Sequence, residues 1–235
     1  MSNIESRVLF EVPVETLAEA VAAARGGADR LELCASLDVG GITPSFESIQ
    51  QFAFESPLPF VVMVRPRAGD FVYKESERRD MAVRVAEAHA IGMMGVVFGA
   101  LTGDRRVNIP ACESFMAISG PMATVFHRAF DQITDPFAAL DDLITLGVTR
   151  VLTSGGGDCA ADPACARRIA QLIDHANGRI EILPGGGIRA HNVKALLDAT
   201  NATSIHSSCR RDSRLDPAMV AELRRVIDDW SASTG

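Results

Sequence analysis

Three stretches of this chain repeat one pattern: GGADRLEL (26–33), GMMGVVFG (92–99) and GVTRVLTS (147–154). In each, a glycine that ends a helical segment is followed by an apolar run of strand length. DATNATSIHS (198–207) keeps the pattern without the glycine. The copies recur about every 55–65 residues, the length of two strand–helix units, so the chain reads as four such pairs. The remaining apolar runs complete eight predicted strands, over 8–12, 30–34, 60–65, 94–98, 124–127, 150–153, 180–183 and 204–206. Helical periodicity fills the intervals, as at 14–25, 75–91, 136–146, 165–176 and 190–199. Pro136 behind Asp135 is a helix start, because aspartate caps the first-turn amides and proline has no amide to leave unpaired. Pro44 behind Thr43 and Pro217 behind Asp216 read the same way. Strands alternating with helices specify a parallel sheet. Eight strands close it into a (β/α)8 TIM-type barrel, expected as a single α/β domain over residues 1–235, with an open doubly wound sheet as the less favoured arrangement.

Side chains alternate across each strand, so the helix-facing positions of a barrel are apolar and the others point inward. Phe10 and Val12, Leu31 and Leu33, Val62 and Val64, Phe126, and Ile205 take the helix-facing slots. The inward set is then Glu11, Glu32, Arg65, His127 and His206, with Cys34 beside them. Each lies near the C-terminal end of its strand, where barrel enzymes place their sites. Buried charges persist only when paired, so these five are expected to form one network and are the candidate catalytic residues. The plainer alternative is a Glu32–Arg65 ion pair that plugs the barrel, with the histidines as satisfied core residues. Ionisable groups from five strands at one end favour the site.

Two glycine loops extend it. Ser154, Gly155 and Gly156 follow the sixth strand, and Gly185, Gly186 and Gly187 follow the seventh. Consecutive glycines let backbone amides approach an anion, and the next helix adds a positive N-terminal end. Ser207 and Ser208 add hydroxyls after the eighth strand. In RPRAGDF (65–71), Arg67 and Asp70 lie in a loop with Gly69 and read either as a lid or as a salt-bridged surface loop. In FHRAFD (126–131), Arg128 is placed to meet an anion or a carboxylate, and Asp131 to pair with Arg128 or to accept from loop amides.

Bulk properties bound the partners. The 235 residues are 47% hydrophobic and 23% charged, enough for a sizeable core, and the net charge is -7. That sign disfavours nucleic acid and anionic membrane surfaces and leaves room for a small anionic ligand held by local basic groups. MSNIESRVLF carries no secretory pattern and no window approaches the ~20 apolar residues of a spanning helix, so a cytoplasmic location is expected. Five cysteines, Cys34, Cys112, Cys159, Cys165 and Cys209, show no CxxC spacing and suggest neither a disulfide framework nor a zinc knuckle.

GGADRLELC, GGITPS, RPRAGDF, VFGALTGD, FHRAFD, RVLTSGG, PGGGIRAHN and IHSS occur in the order seen in the CutC copper homeostasis family, which the chain resembles from about Phe10 to Cys209. The resemblance implies a TIM-type barrel, a cytoplasmic homo-oligomer, expected as a dimer, and copper binding or copper tolerance. One departure is local. Many members carry cysteine after the glutamate and valine of the first strand, where this chain reads FEVPVE with Pro13.

Two functions follow. The first is copper handling through Cu(I), a soft ion that takes thiolate and thioether ligands. Its candidate ligands are Cys34 and Cys209, which end the strands flanking the first and are placed to approach across the mouth. The second is catalysis on a small phosphorylated or carboxylated metabolite. Arg65 and the glycine loops would hold the anion, Glu32 or Glu11 would act as base, and His127 or His206 as acid. A divalent metal on His127, His206 and Glu32 is a variant of the second.

Overall fold

The computed structural model describes residues 7–234; MSNIES and Gly235, the ends of the expected 1–235 domain, lie outside the described residues. Its eight central strands are β1 (Leu9–Val14), β2 (Arg30–Leu33), β3 (Phe60–Met63), β4 (Gly95–Phe98), β5 (Ala123–Phe126), β6 (Arg150–Thr153), β7 (Glu181–Pro184) and β8 (Ser204–His206). The helices are α1 (Leu17–Arg25), α2 (Phe46–Glu55), α3 (Glu75–Ala90), α4 (Ile109–Ser119), α5 (Pro136–Leu146), α6 (Pro163–Ala176), α7 (Val193–Thr200) and α8 (Pro217–Thr234). The strands pair in parallel in the order β7-β6-β5-β4-β3-β2-β1-β8. Between β7 and β8 the ladder is reduced to a single bridge, Gly185 to His206. The result is a nearly closed TIM-type barrel, as the alternation requires. A short antiparallel hairpin, β9 (Arg210–Arg211) and β10 (Arg214–Leu215), leads into α8 and was not legible in the pattern. Among the described residues no helix is long and apolar enough to cross a membrane.

The repeated motif has a backbone cause. Gly27, Gly92 and Gly147 take φ of 92°, 74° and 81°, and Asn201 takes 49° in the fourth copy. Each reverses the chain from a helix end, and asparagine is among the few other residues that adopt this left-handed conformation readily. Three residues further on, each copy places an inward residue at the foot of an even strand: Arg30, Gly95, Arg150 and Ser204. Element starts differ from expectation where a cap competes. The Thr16 hydroxyl accepts from Glu19 N, so β1 runs to Val14 and α1 begins at Leu17 rather than at 14. Ser45 accepts from Ser48 N and moves the start of α2 from Pro44 to Phe46. The helix expected at 190–199 begins at Val193.

Register and alternation sort the interior into layers fed by alternate strands. From the bottom these are Arg30, Gly95, Arg150 and Ser204; then Glu11, Val61, Val125 and Leu183; then Glu32, Val97, Leu152 and His206; then Pro13, Met63, His127 and Gly185 at the top. The apolar members join Cys34 in one interior cluster. A larger core fills the space between barrel and helices, with Phe10, Phe98, Phe115 and Phe126 fully buried and Phe98 edge-on to both Phe115 and Phe126. Each such ring contributes about 1.5–3 kcal/mol by leaving water, which fixes strand faces and so decides which polar residues must point inward. Pro13 costs little. The odd residues of β1 bond to β8, as in Leu9 N to Thr203 O, and Pro13 lies beyond the end of that strand.

Candidate functional site

At the foot of the barrel, Arg30 Nε donates to Glu11 Oε2 at 2.7 Å and its Nη2 to Glu181 Oε1 at 2.7 Å. Arg150 spans the same two carboxylates, at 2.9 Å to Glu181 and 3.4 Å to Glu11, and Ser204 Oγ donates to Glu181 Oε1 at 2.5 Å. Glu11 is 1% exposed. Burial pushes its pKa up, but the hydrogen bond from His206 and the charges of Arg30, His206 and Arg150 win, holding it at about 2. Glu11 therefore stays ionised and belongs to this lower network, one layer below the mouth where the sequence pattern put it.

Above it, His206 Nδ1 donates to Glu11 Oε1 at 2.9 Å, and its Nε2 lies 4.0 Å from Glu32 Oε2. Burial pulls the imidazole pKa down, yet the bond to Glu11 and the carboxylate charges outweigh it and the net shift is upward. Glu32 is pushed the other way from Glu11. Burial dominates and raises its pKa, with the Glu11 charge adding to it and His206 opposing. Its Oε2 accepts only from Cys34 Sγ at 3.5 Å, and its Oε1 is buried without a partner.

His127 ends β5 and caps a short 3-10 turn over Arg128–Gln132. Its Nδ1 accepts from Ala129 N at 3.1 Å, which places the ring proton on Nε2. Nε2 is buried and unpartnered. Burial and then the charge of Arg65 hold its pKa down at about 3, so the ring is neutral. Gly99 makes room for it: a Cβ there would stand 2.5 Å from the imidazole. Phe71 packs on the ring at 4.8 Å between centroids. Arg65 does not pair with Glu32. Its Nη1 donates to Val39 O and Gly41 O and its Nη2 to Gly69 O, at 3.0–3.1 Å, so it clasps two loops over the mouth. Its guanidinium also lies 4.9 Å above the Phe71 ring.

These elements enclose a cavity of about 270 Å³ at the C-terminal end of the barrel. It brings together Glu32, Arg65, His127, His206, Arg128, Gly186, Gly187, Ser207 and Ser208 from the expected set, with Arg189, Met63 and Phe71 added. Arg189 follows PGGGI directly, so a basic residue at the start of the helical segment after a glycine loop was the available signal. The two glycine loops differ. Asp131 fills the first, accepting from Ser154 N, Ser154 Oγ, Gly156 N and Thr153 Oγ1 while also bonding Arg128 Nε at 2.8 Å. It thus takes both roles the sequence left open. Gly155 N is spent on Thr153 Oγ1. In the second loop Gly185 N bonds Thr153 O, whereas Gly186 and Gly187 face the cavity, with the Arg128 guanidinium packed over Gly186. Arg67 and Asp70 bond each other on the surface, with Glu77 also on Arg67, and do not line the cavity.

The residues do not fit the Cu(I) pair drawn from the sequence. Cys34 lies in the barrel interior, and Cys209 in the layer between barrel and helices, where its sulfur is 3.5 Å from Ser207 Oγ. Burial pushes both thiols up, Cys34 well above its ordinary range. The two-histidine set is not assembled either: Ala129 N on Nδ1 puts the His127 proton on Nε2, the remaining ring nitrogen, whereas His206, with Nδ1 on Glu11, keeps Nε2 as a candidate ligand atom. Among the described residues no group of three or more His, Cys, Asp or Glu is placed to hold a metal ion.

Comparison with known proteins gives one consistent result. The CutC family model matches residues 8–211. A human copper homeostasis protein cutC homolog is 46% identical over 207 residues, covering 87% of this chain and 75% of its own. The crystal structure of a Streptococcus agalactiae chain described as a CutC copper homeostasis protein superposes with a TM-score of 0.79 at 33% identity, over 86% of this chain and 98% of that one. Phosphoribosylanthranilate isomerase from Thermotoga maritima shares the barrel alone, with a TM-score of 0.62 at 14% identity over 94% and 99% of the two chains.

Proposed function

The chain belongs to the CutC family, and from that premise we propose that its part in copper homeostasis is played by the barrel mouth, as an acid–base pocket for a small anionic molecule. One observation carries this reading: Glu32 Oε1 is buried and unpartnered on a residue that lines the cavity beside His206. An unpaired buried carboxylate oxygen costs several kcal/mol, roughly, and is retained where something else completes it. The basic side of the mouth, Arg189 and Arg128 around Gly186 and Gly187, gives an anion its place. Glu32 and His206 then sit within 4.0 Å of each other with both pKa values raised, Glu32 by burial and His206 by its bond to Glu11 and the carboxylate charges against burial, a carboxylate and an imidazole placed to exchange a proton. A thermal-shift screen of phosphate monoesters and carboxylates tests this. At least one is expected to raise the melting temperature of the wild type and not of Arg189→Gln. A screen in which none does so removes the reading.

Direct copper ion binding is the form of the role that the relatives' names suggest. In a Cu(I) competition titration this chain is expected to bind no more than a cysteine-free variant, because its thiols are separated. Stoichiometric binding lost in Cys34→Ser would reverse that and restore the copper route. The same reading retains a cytoplasmic homodimer, checked by light scattering and cell fractionation.

A further inference from the structure

The polar atoms of the mouth are almost all spent on the protein itself. Arg65 Nη1 and Nη2 hold three loop carbonyls, Ser207 Oγ donates to Ile188 O at 2.8 Å, and Arg128 is taken by Asp131 and Ser154. His206 Nδ1 is on Glu11. Three cavity-lining residues keep a buried atom without a partner: Arg65 does so at Nε, and two others do so as a donor and an acceptor. His127 is 4% exposed and presents an unpartnered Nε2–H; Glu32 is 3% exposed and presents an unpartnered Oε1. One is a fixed neutral donor, held by Ala129 N, Gly99 and Phe71. The other is an acceptor. Burial without a partner costs both of them, so the arrangement is complementary to a molecule that supplies an acceptor to the first and a hydrogen to the second.

We infer that this molecule is a small carbonyl compound with a hydrogen on the carbon next to its carbonyl and an anionic group at its far end, and that the mouth moves that hydrogen as a proton. The inference rests on the reading of the mouth as an anion-binding acid–base pocket. A neutral imidazole N–H is a poor proton source but a good fixed dipole for an oxygen that gains charge. Met63, Phe71, Leu37 and Leu152 line the same cavity and exclude water from it, which strengthens that dipole. At about 270 Å³ the cavity stands just under the usual range of ~300–1,000 Å³, so the compound is small.

The step balances within the site. Glu32 carboxylate forms an O–H bond with the proton as the C–H bond breaks. The C–H electron pair becomes the carbon–carbon π bond, and the carbonyl π pair moves onto oxygen. That enolate oxygen accepts from His127 Nε2–H, which keeps its proton. Glu32 returns a proton to the same carbon, which restores the ketone and, in D₂O, exchanges the hydrogen. Nothing is oxidised or reduced and no co-reactant enters.

The test uses the full chain with four probes. Dihydroxyacetone phosphate and pyruvate are incubated in D₂O and followed by proton NMR for uptake of deuterium beside the carbonyl. Phosphoglycolohydroxamate, an enediolate mimic, and glycerol 3-phosphate, which has the anion but no carbonyl, are titrated by calorimetry. Uptake above the protein-free rate is expected with at least one ketone, and the hydroxamate is expected to bind at least about tenfold tighter than glycerol 3-phosphate. His127→Gln should erase that preference, and Glu32→Gln should stop uptake. The hydroxamate preference is read on the wild type, so it decides even if a variant fails to fold. Equal binding of the two phosphates with no uptake overturns the carbonyl inference and leaves the anion pocket standing. No binding of any probe takes down the pocket reading as well. Uptake that survives both substitutions overturns the assignment of His127 and Glu32.

Discussion

The foot of the barrel and its mouth both bury ionisable groups, but they do so to different ends. At the foot, Glu11 and Glu181 face Arg30 and Arg150 at 2.7–3.4 Å, and every charge is answered by another. At the mouth, Glu32 and His127 each keep one buried atom unanswered. Burial of charge is therefore not what marks a site in this molecule. The foot is complete without a ligand, whereas the mouth leaves buried atoms open, which the proposed ligand would complete. His206 touches both systems, on Glu11 below and beside Glu32 above, so the plug sets the charge state of the pocket.

The sharpest way to break this contrast is to neutralise one carboxylate at a time. Glu11→Gln leaves two guanidiniums and the His206 imidazole short of a carboxylate partner and should cost about 3–5 kcal/mol in urea unfolding. Glu32→Gln removes a charge that was never fully paired and should cost less than about 1 kcal/mol. Equal losses would erase the distinction between foot and mouth. Next in size is Gly99→Ala, which drives a methyl into the His127 ring and should cost about 1–3 kcal/mol, with loss of the ligand-induced rise in melting temperature. A third test uses acid. His127 is held at about 3 against an ordinary 6.5, so below 6.5 the unfolded chain binds a proton the folded chain refuses, and stability falls as pH drops toward 3. Glu11, at about 2 against 4.5, gives up its stabilisation only between 4.5 and 2. The slope is about 1.4 kcal/mol per pH unit per proton at most. In pH-dependent urea melts, His127→Asn should flatten the upper window and Glu11→Gln the lower; the reverse pattern would mean the two residues are misplaced. The smallest effect is expected at Asp70→Asn. This residue is exposed and outside the cavity, and both melting and ligand response should match the wild type.

Much of this was readable before any coordinates, for a definite reason. Alternation fixes which side of a strand faces the helices, so Glu32, His127 and His206 were legible as inward residues. Partners were not, because they depend on side-chain reach. Arg65 pairs with Glu32 in the plainer alternative and holds an anion in the favoured reading, but its long stem turns back to loop carbonyls that no strand pattern reveals. Arg30 and Arg150 open their strands, and alternation alone gives them no role. Their signal was present, since each stands three residues after the motif glycine, in GGADRLEL and in GVTRVLTS. Cys34 and Cys209 end neighbouring parts of the barrel, but Cys209 itself takes a φ of 45° and packs in the outer core. The glycines of SGGG read as a place for a ligand anion, and in the structure the carboxylate of Asp131 occupies that loop.

The seam between β7 and β8 is held by one bridge, and it runs directly under the mouth. Gly186 and Gly187 stand on one bank and Ser207 and Ser208 on the other. A guest bound to both banks would act as the rungs this junction lacks, turning a hoop with a gap into a continuous one. Occupancy would then be reported far from the chemistry, as slower amide exchange in the short eighth strand, where the cylinder is easiest to pry apart.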